Sequence, residues 1–182
     1  MGSSQVLLSE EQIRQRVAEL AAQVSADAGD RTLMVVAVLD NGFVFMSDLV
    51  RRLTCPVICQ FVKMETRDTV EDGHQRRNVI YTPLVDLPGK DVLLVDAILQ
   101  TGVTLEHLVQ QLLAKGARSV KTAVLIDKPE DRRVDLKPDY HGFAVEGKFL
   151  VGYGLGHRDL CRNLPYVADL GAAGVAAPAG SK

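Results

Sequence analysis

Apolar and polar positions along this chain fall into blocks whose period changes abruptly, and those blocks outline the elements. Ser9 and Gln12 have capping-box spacing, and Ile13, Val17, Leu20 and Val24 then recur at helical intervals. This predicts a helix ending near Ala28-Gly29. TLMVVAVLD, residues 32 to 40, is an unbroken apolar run of strand length, the pattern of a strand buried on both faces. FVFMSDLVRRL, 43 to 53, reads as a second helix, and PVICQFVKM, 56 to 64, as a second strand.

Residues 65 to 77, ETRDTVEDGHQRR, have no apolar period and fit either a surface hairpin or a mobile loop. NVIYTPLV follows, a turn is expected at Leu87-Pro88-Gly89, and DVLLVDA forms the next strand. A helix over 104 to 115 places Leu105, Leu108, Val109, Leu112 and Leu113 on one face and stops at Gly116. SVKTAVLI, 119 to 126, is another buried-strand run, and the loop DKPEDRR follows it. HGFAVEGKFLVGYGLG gives short strands, and residues 171 to 182 read as a flexible tail.

Strands alternating with helices through short loops predict an α/β fold around a mostly parallel sheet, as one domain over residues 1 to 170. Ligands of such sheets gather at the carboxyl ends of the strands. Three polar loops follow buried runs, at 40 to 42, 96 to 104 and 127 to 133, and are expected to converge on one crevice.

Bulk properties narrow the function classes. The 182 residues are 47% hydrophobic and 24% charged with a formal net charge of −2, so no global positive field recruits nucleic acid or an anionic membrane. No apolar run reaches the roughly 20 residues of a membrane span, and MGSSQVLLSEEQ lacks the features of a signal peptide. Cys55, Cys59 and Cys161 match no metal or redox spacing; Cys55 and Cys59 share parity on the expected strand and read as packing residues. The expected setting is a reduced cytoplasm. Arg76-Arg77 and Arg132-Arg133 stand out as local basic clusters.

The candidate chemistry lies in VLLVDAILQTGVTLEHL. A Gly between two hydroxyl residues at a strand-to-helix junction lets backbone N–H groups approach an anion, and the helix dipole favours negative charge there. The same Thr101-Gly102-Val103-Thr104 also fits a Thr N-cap with a Gly easing the turn. Asp96 is placed either to accept from vicinal sugar hydroxyls or to sit solvated at a strand end.

LSEEQIRQRVAEL, FVFMSDLV, DVLLVDAILQTGVTL, KPDYHGF, FLVGYGLG and RNLPY occur in an order and spacing that resemble the type I phosphoribosyltransferases, and most nearly the hypoxanthine-guanine phosphoribosyltransferase family. The resemblance runs from about Leu8 to Leu170. It implies a central mostly parallel sheet flanked by helices, a small hood from the N- and C-terminal segments, and assembly as homodimers or homotetramers. It further implies joining of a purine base to ribose 5-phosphate drawn from phosphoribosyl pyrophosphate, with Mg²⁺ assisting. By position, Thr101, Gly102, Val103 and Thr104 would hold the 5′-phosphate, and Asp96 the ribose hydroxyls and, through water, a metal. Lys128 would read the exocyclic oxygen of the purine, or else be a surface lysine. Phe149 would stack on the base, or else belong to the hood core. Leu150 would read the base edge through its backbone, and Arg162 would lie near pyrophosphate.

The departures from the family pattern cluster where chemistry would occur. Ala97 replaces the second of two ribose-binding acids, a charge-assisted acceptor worth ~1.5–3 kcal/mol. Gln100 replaces the proton acceptor facing the purine, an aid worth ~10²–10⁴-fold in rate. Asp40-Asn41 stand where Lys-Gly would cradle pyrophosphate, Thr66-Arg67 where Ser-Tyr would form the lid, and Gly156 where a metal-side Asp would be. Lys63, Arg67, Arg76 and Arg77, with His74 or His157, are available to compensate, although Glu65, Asp68, Glu71 and Asp72 nearly balance the cations. Three functions follow: a slowed or altered purine phosphoribosyltransferase, a purine-nucleotide-binding protein without turnover, and a phosphoribosyl enzyme for a different base.

Overall fold

The computed structural model describes residues 5–71, 74–81, 86–146, 149–158 and 160–171; most of the expected tail lies outside them. Five strands lie parallel at its centre: β2 (Leu33–Leu39), β3 (Val57–Glu71), β5 (Asp91–Leu99), β6 (Ser119–Asp127) and β7 (Tyr140–Ala144). With β4 (His74–Tyr81) antiparallel on the edge, the order is β4-β3-β2-β5-β6-β7. A second, three-stranded antiparallel sheet joins β1 (Gln5–Leu8), β9 (Val167–Asp169) and β8 (Leu150–Val151), so the first and last described strands meet in one small layer.

Helix α1 (Glu10–Ala28) starts at the expected capping box: Gln12 N–H donates to Ser9 Oγ over 3.3 Å and Ser9 N–H to Gln12 Oε1 over 2.8 Å. It ends at Gly29, whose φ of 58° lies in the left-handed region. Ile13, Val17, Leu20 and Val24 form its buried stripe, each side chain stabilising the fold by about 1.5–3 kcal/mol relative to exposure. Helix α2 (Phe43–Val50) stops three residues short of the predicted end, where Arg51 Nε donates to Ser47 O and Arg52 Nη1 to Asp48 O.

Strand alternation sorts the core into two layers. Val35 and Ala37 of β2, with Leu93, Val95 and Ala97 of β5, face α1 and α2. Met34, Val36 and Val38, with Val92 and Leu94, face α3 (Val103–Ala114) through Leu105, Leu108 and Leu112. Leu113, expected on the buried face of α3, is exposed, because the sheet covers only the stripe built on Leu105 and Leu108. Cys55 and Cys59 likewise part company: Cys55 is buried before β3 begins, whereas Cys59 is exposed on it.

The polar segment after Met64 is a hairpin, with β3 continuing to Glu71 and β4 pairing back on it from Glu71↔His74 to Met64↔Tyr81. At the opposite end of the sheet from the polar loops, Asp91 is buried beneath Arg118, Ser119 and Arg31. The bond from Arg118 holds its carboxyl far below the ordinary carboxylate range. That network lies at the amino ends of the strands, opposite the polar loops at their carboxyl ends.

Candidate anion site at the strand ends

Strands β2, β5 and β6 are neighbours and parallel, so their three following loops emerge side by side. Asn41, Asp96, Gln100, Thr101, Gly102 and Thr104 line one open cleft there. The third loop is strapped to the second by its backbone: Lys128 N–H donates to Leu99 O and Arg133 N–H to Thr101 O, both over 2.9 Å. The 127–133 loop opens onto an adjoining recess that shares Gln100 and Thr101 with the cleft.

Gly102 is the N-cap of α3, with φ 81°, and no side chain caps the helix. The alternative reading, a Thr N-cap, is therefore not met. Threonine lacks easy access to this left-handed conformation, and Gly102 takes the turn instead. Thr101 and Thr104 are left lining the cleft beside a helix N-terminus that carries no side-chain cap. Val103 opens the helix with its side chain half exposed, so its contribution to an anion would come from the backbone alone.

Asp96 and Ala97 part by strand alternation. Asp96 shares the α3-side parity of β5 and reaches the cleft, where Ala97 N–H donates to its Oδ1 over 2.7 Å. Burial pushes its carboxyl up to about 7, the two nearest backbone N–H groups lowering it only in part. Ala97 is 0% exposed and packs in the layer with Phe45, Val95 and Leu125.

The loop after β2 meets the segment between β8 and β9 at Asn41. Arg162 Nη1 donates to Asn41 Oδ1 over 2.6 Å and to Gly154 O over 2.7 Å. A Cβ on Gly154 would stand 2.4 Å from Asn41 O, so the two segments touch backbone to backbone and only glycine fits there. Asp40 is 47% exposed and its carboxylate lies 3.6 Å from Lys63 Nζ, which offsets its charge beside the cleft.

Lys128 is not a surface lysine: it is 5% exposed, and its ammonium lies 2.7 Å from Asp131. Phe149 is not hood core: it is 39% exposed and meets the His157 ring edge to face at 5.2 Å. Leu150 is buried on β8. Thr66 and Arg67 lie on β3 opposite Val79 and Asn78, within a paired hairpin.

A metal fits these residues poorly. Among the described residues no group of three or more His, Cys, Asp or Glu comes together. The Asp96 carboxylate already accepts from Ala97 N–H. At Gly156 a Cβ would stand 2.7 Å from Arg162 Cζ, so a guanidinium occupies the space into which a side chain at 156 would emerge.

Arg132, singled out in the sequence only as half of a basic cluster, lines the adjoining recess. It forms an ion pair with Asp127, both side chains being mostly buried, and packs against Gly102. Its signals were that cluster and its place in the charged loop directly after a buried strand.

Five parallel strands, with a glycine-broken junction leading to a helix that has no side-chain cap, define an α/β protein whose polar loops gather at the carboxyl ends of its sheet. Comparison with known proteins narrows that class. The phosphoribosyl transferase domain model matches residues 3–158. The hypoxanthine-guanine phosphoribosyltransferase of Aquifex aeolicus is 39% identical over 163 residues, 89% of this chain and 92% of that protein. Among solved structures, a hypoxanthine-guanine phosphoribosyltransferase from Bacillus anthracis superposes with a TM-score of 0.80 at 34% identity, covering 91% of this chain and 96% of that one. A hypoxanthine phosphoribosyltransferase from Staphylococcus aureus gives 0.83 at 32% identity, covering 95% and 94%. The chain belongs to the phosphoribosyltransferase family, among the hypoxanthine-guanine phosphoribosyltransferases.

Proposed function

We propose that this protein is a purine phosphoribosyltransferase of slowed turnover. It would transfer ribose 5-phosphate from phosphoribosyl pyrophosphate to hypoxanthine or guanine in cytoplasmic purine salvage. The observation that carries the reading is the cleft in which Asp96, Thr101, Gly102 and Thr104 converge at the start of α3. Thr101–Thr104 and the helix dipole receive the 5′-phosphate, and Asp96 accepts from the ribose hydroxyls. The purine lies toward Phe149 and Lys128, with the Leu150 backbone at the base edge. Arg162 and Asn41 face the pyrophosphate. Gln100 lines the cleft and hydrogen-bonds the base without taking its proton, so the rate loses about 10²–10⁴-fold of acid–base assistance. Homodimeric or homotetrameric assembly is part of this reading, and sedimentation tests it.

Protein mixed with Mg²⁺, phosphoribosyl pyrophosphate and hypoxanthine or guanine should yield nucleotide and pyrophosphate slowly. No product above background at high enzyme concentration rejects transfer. The protein would then be a purine-nucleotide binder without turnover, a reading favoured by the acid at Asp40 beside the cleft. Calorimetry separates the two, since the binder takes inosine or guanosine monophosphate tightly and phosphoribosyl pyrophosphate poorly. The Lys128–Asp131 ion pair favours a third reading, because it presents an acceptor beside the donor that would read the base. Nucleotide formed from adenine but not from hypoxanthine would establish a different acceptor base.

A further inference from the structure

Among the described residues, Arg132 Nη1 is the buried side-chain polar atom that has no hydrogen-bond partner. The Arg132 side chain is 13% exposed, and its Nη2 donates to Asp127 Oδ1 at the end of β6. A buried donor left unmet destabilises the fold, and more so when it is charged, so its persistence calls for a reason. A Cβ added to Gly102 would stand 3.1 Å from Arg132 Cδ and 3.5 Å from Nη1. The glycine that opens α3 therefore rests against this side chain. Arg133 N–H donates to Thr101 O, so the backbone next to Arg132 also grips the loop. Because Asp127 is held on Nη2, the ion pair presents its bare positive end, Nη1, toward Gly102.

A purely packing role would be met by any side chain of this length, with no buried charge to satisfy. We propose that Arg132 is a positioning residue of the anion cradle. Braced by Asp127, its guanidinium supports the left-handed Gly102 turn from beneath and turns positive charge toward the place where a phosphate sits. The inference rests on Thr101–Thr104 being a phosphate site. It extends that site by a residue that does not line the phosphate cleft and that acts through the loop.

The test is calorimetry on the full chain with ribose 5-phosphate, inosine monophosphate and inosine, for wild type, Arg132→Met and Arg132→Lys. Arg132→Met keeps volume and removes charge and donors. It should weaken both phosphate-bearing ligands at least about tenfold, the size of one charge-assisted contact, while inosine changes less than about twofold. Arg132→Lys should recover part of the phosphate affinity. Unchanged phosphate affinity in Arg132→Met overturns the proposal, and so does an equal loss for inosine and its monophosphate, which would mark a merely structural residue. Should Arg132→Met fail to fold, Arg132→Gln is measured against the same thresholds. A wild type that binds no ribose 5-phosphate overturns the cradle and this inference together. A wild type that binds ribose 5-phosphate but forms no nucleotide overturns only the proposed transfer.

Discussion

Arg162 and Asn41, 121 positions apart, are joined by a 2.6 Å hydrogen bond from the guanidinium to the side-chain carbonyl. The same Nη1 also reaches Gly154 O, so one nitrogen ties the hood segment to the loop after β2. Arg162→Lys keeps the charge but replaces the rigid, planar guanidinium, whose Nη1 is held at both acceptors, with a flexible ammonium. It should lower unfolding free energy by about 1–2 kcal/mol in urea titration, within the range of charge-assisted hydrogen bonds. A change too small to measure would mean that the link contributes nothing to holding the hood.

Asp96 makes stability depend on pH in a direction opposite to that of a salt-bridged acid. Its folded carboxyl titrates near 7, whereas an unfolded aspartate titrates at about 4. The folded state therefore binds the proton more tightly between those values. The stabilisation is full below about pH 4 and is lost as pH rises through 7. Asp96→Asn keeps an oxygen for Ala97 N–H, and its stability relative to wild type should rise steadily from pH 4 to pH 8.5 when both are unfolded by urea without ligand. A relative stability that is the same at both pH values would refute the burial argument.

Gly102→Ala should harm both fold and binding. Its Cβ would stand 2.7 Å from Val134 Cγ2 on a backbone with φ 81°. The expected loss is about 1–3 kcal/mol by thermal or urea unfolding, with ribose 5-phosphate affinity falling as the turn distorts. Adding Val134→Ala should relieve the contact and recover only part of the loss, since the backbone penalty stays.

Ala97→Asp and Gln100→Asp should behave oppositely, although both put back an acid of the family pattern. Position 97 is fully buried in the α2-side layer, so an aspartate there is an unpaired buried carboxylate. Its melting temperature should fall steeply, by the equivalent of about 3–5 kcal/mol, with no gain in transfer. Gln100 is exposed at the cleft, so Gln100→Asp should fold as wild type does. Its rate should rise by up to about 10²-fold in the hypoxanthine assay. No rise would direct attention to Asp40, Asn41 and the hairpin.

Much of the fold was legible because local signals coincide with tertiary needs. The Ser9–Gln12 box, the α1 stripe and the apolar runs of β2, β5 and β6 each name their own element. Helix ends were less legible, and α2 and Leu113 show why: how far a stripe is covered depends on the sheet opposite, which a local pattern does not contain. The sequence of the β3–β4 hairpin fits a loop as well as a hairpin, since polar strands on a sheet edge carry no apolar period.

By itself the sequence determined the alternation of strands and helices, the place of the strand-to-helix junction at Thr101–Thr104, and the family resemblance. Those properties are written in spacing along the chain, where neighbours in sequence are neighbours in space. Only the tertiary structure decided that Asp96 meets the cleft while Ala97 enters the core, that Gly102 rather than a threonine caps α3, and that Lys128 is engaged by Asp131. It also brought Arg162 to Asn41 and Arg132 beneath Gly102. The first three depend on which face of an element or which turn conformation a residue adopts, and the last two on contacts between distant segments. Such relations arise when the sheet and its loops are packed together.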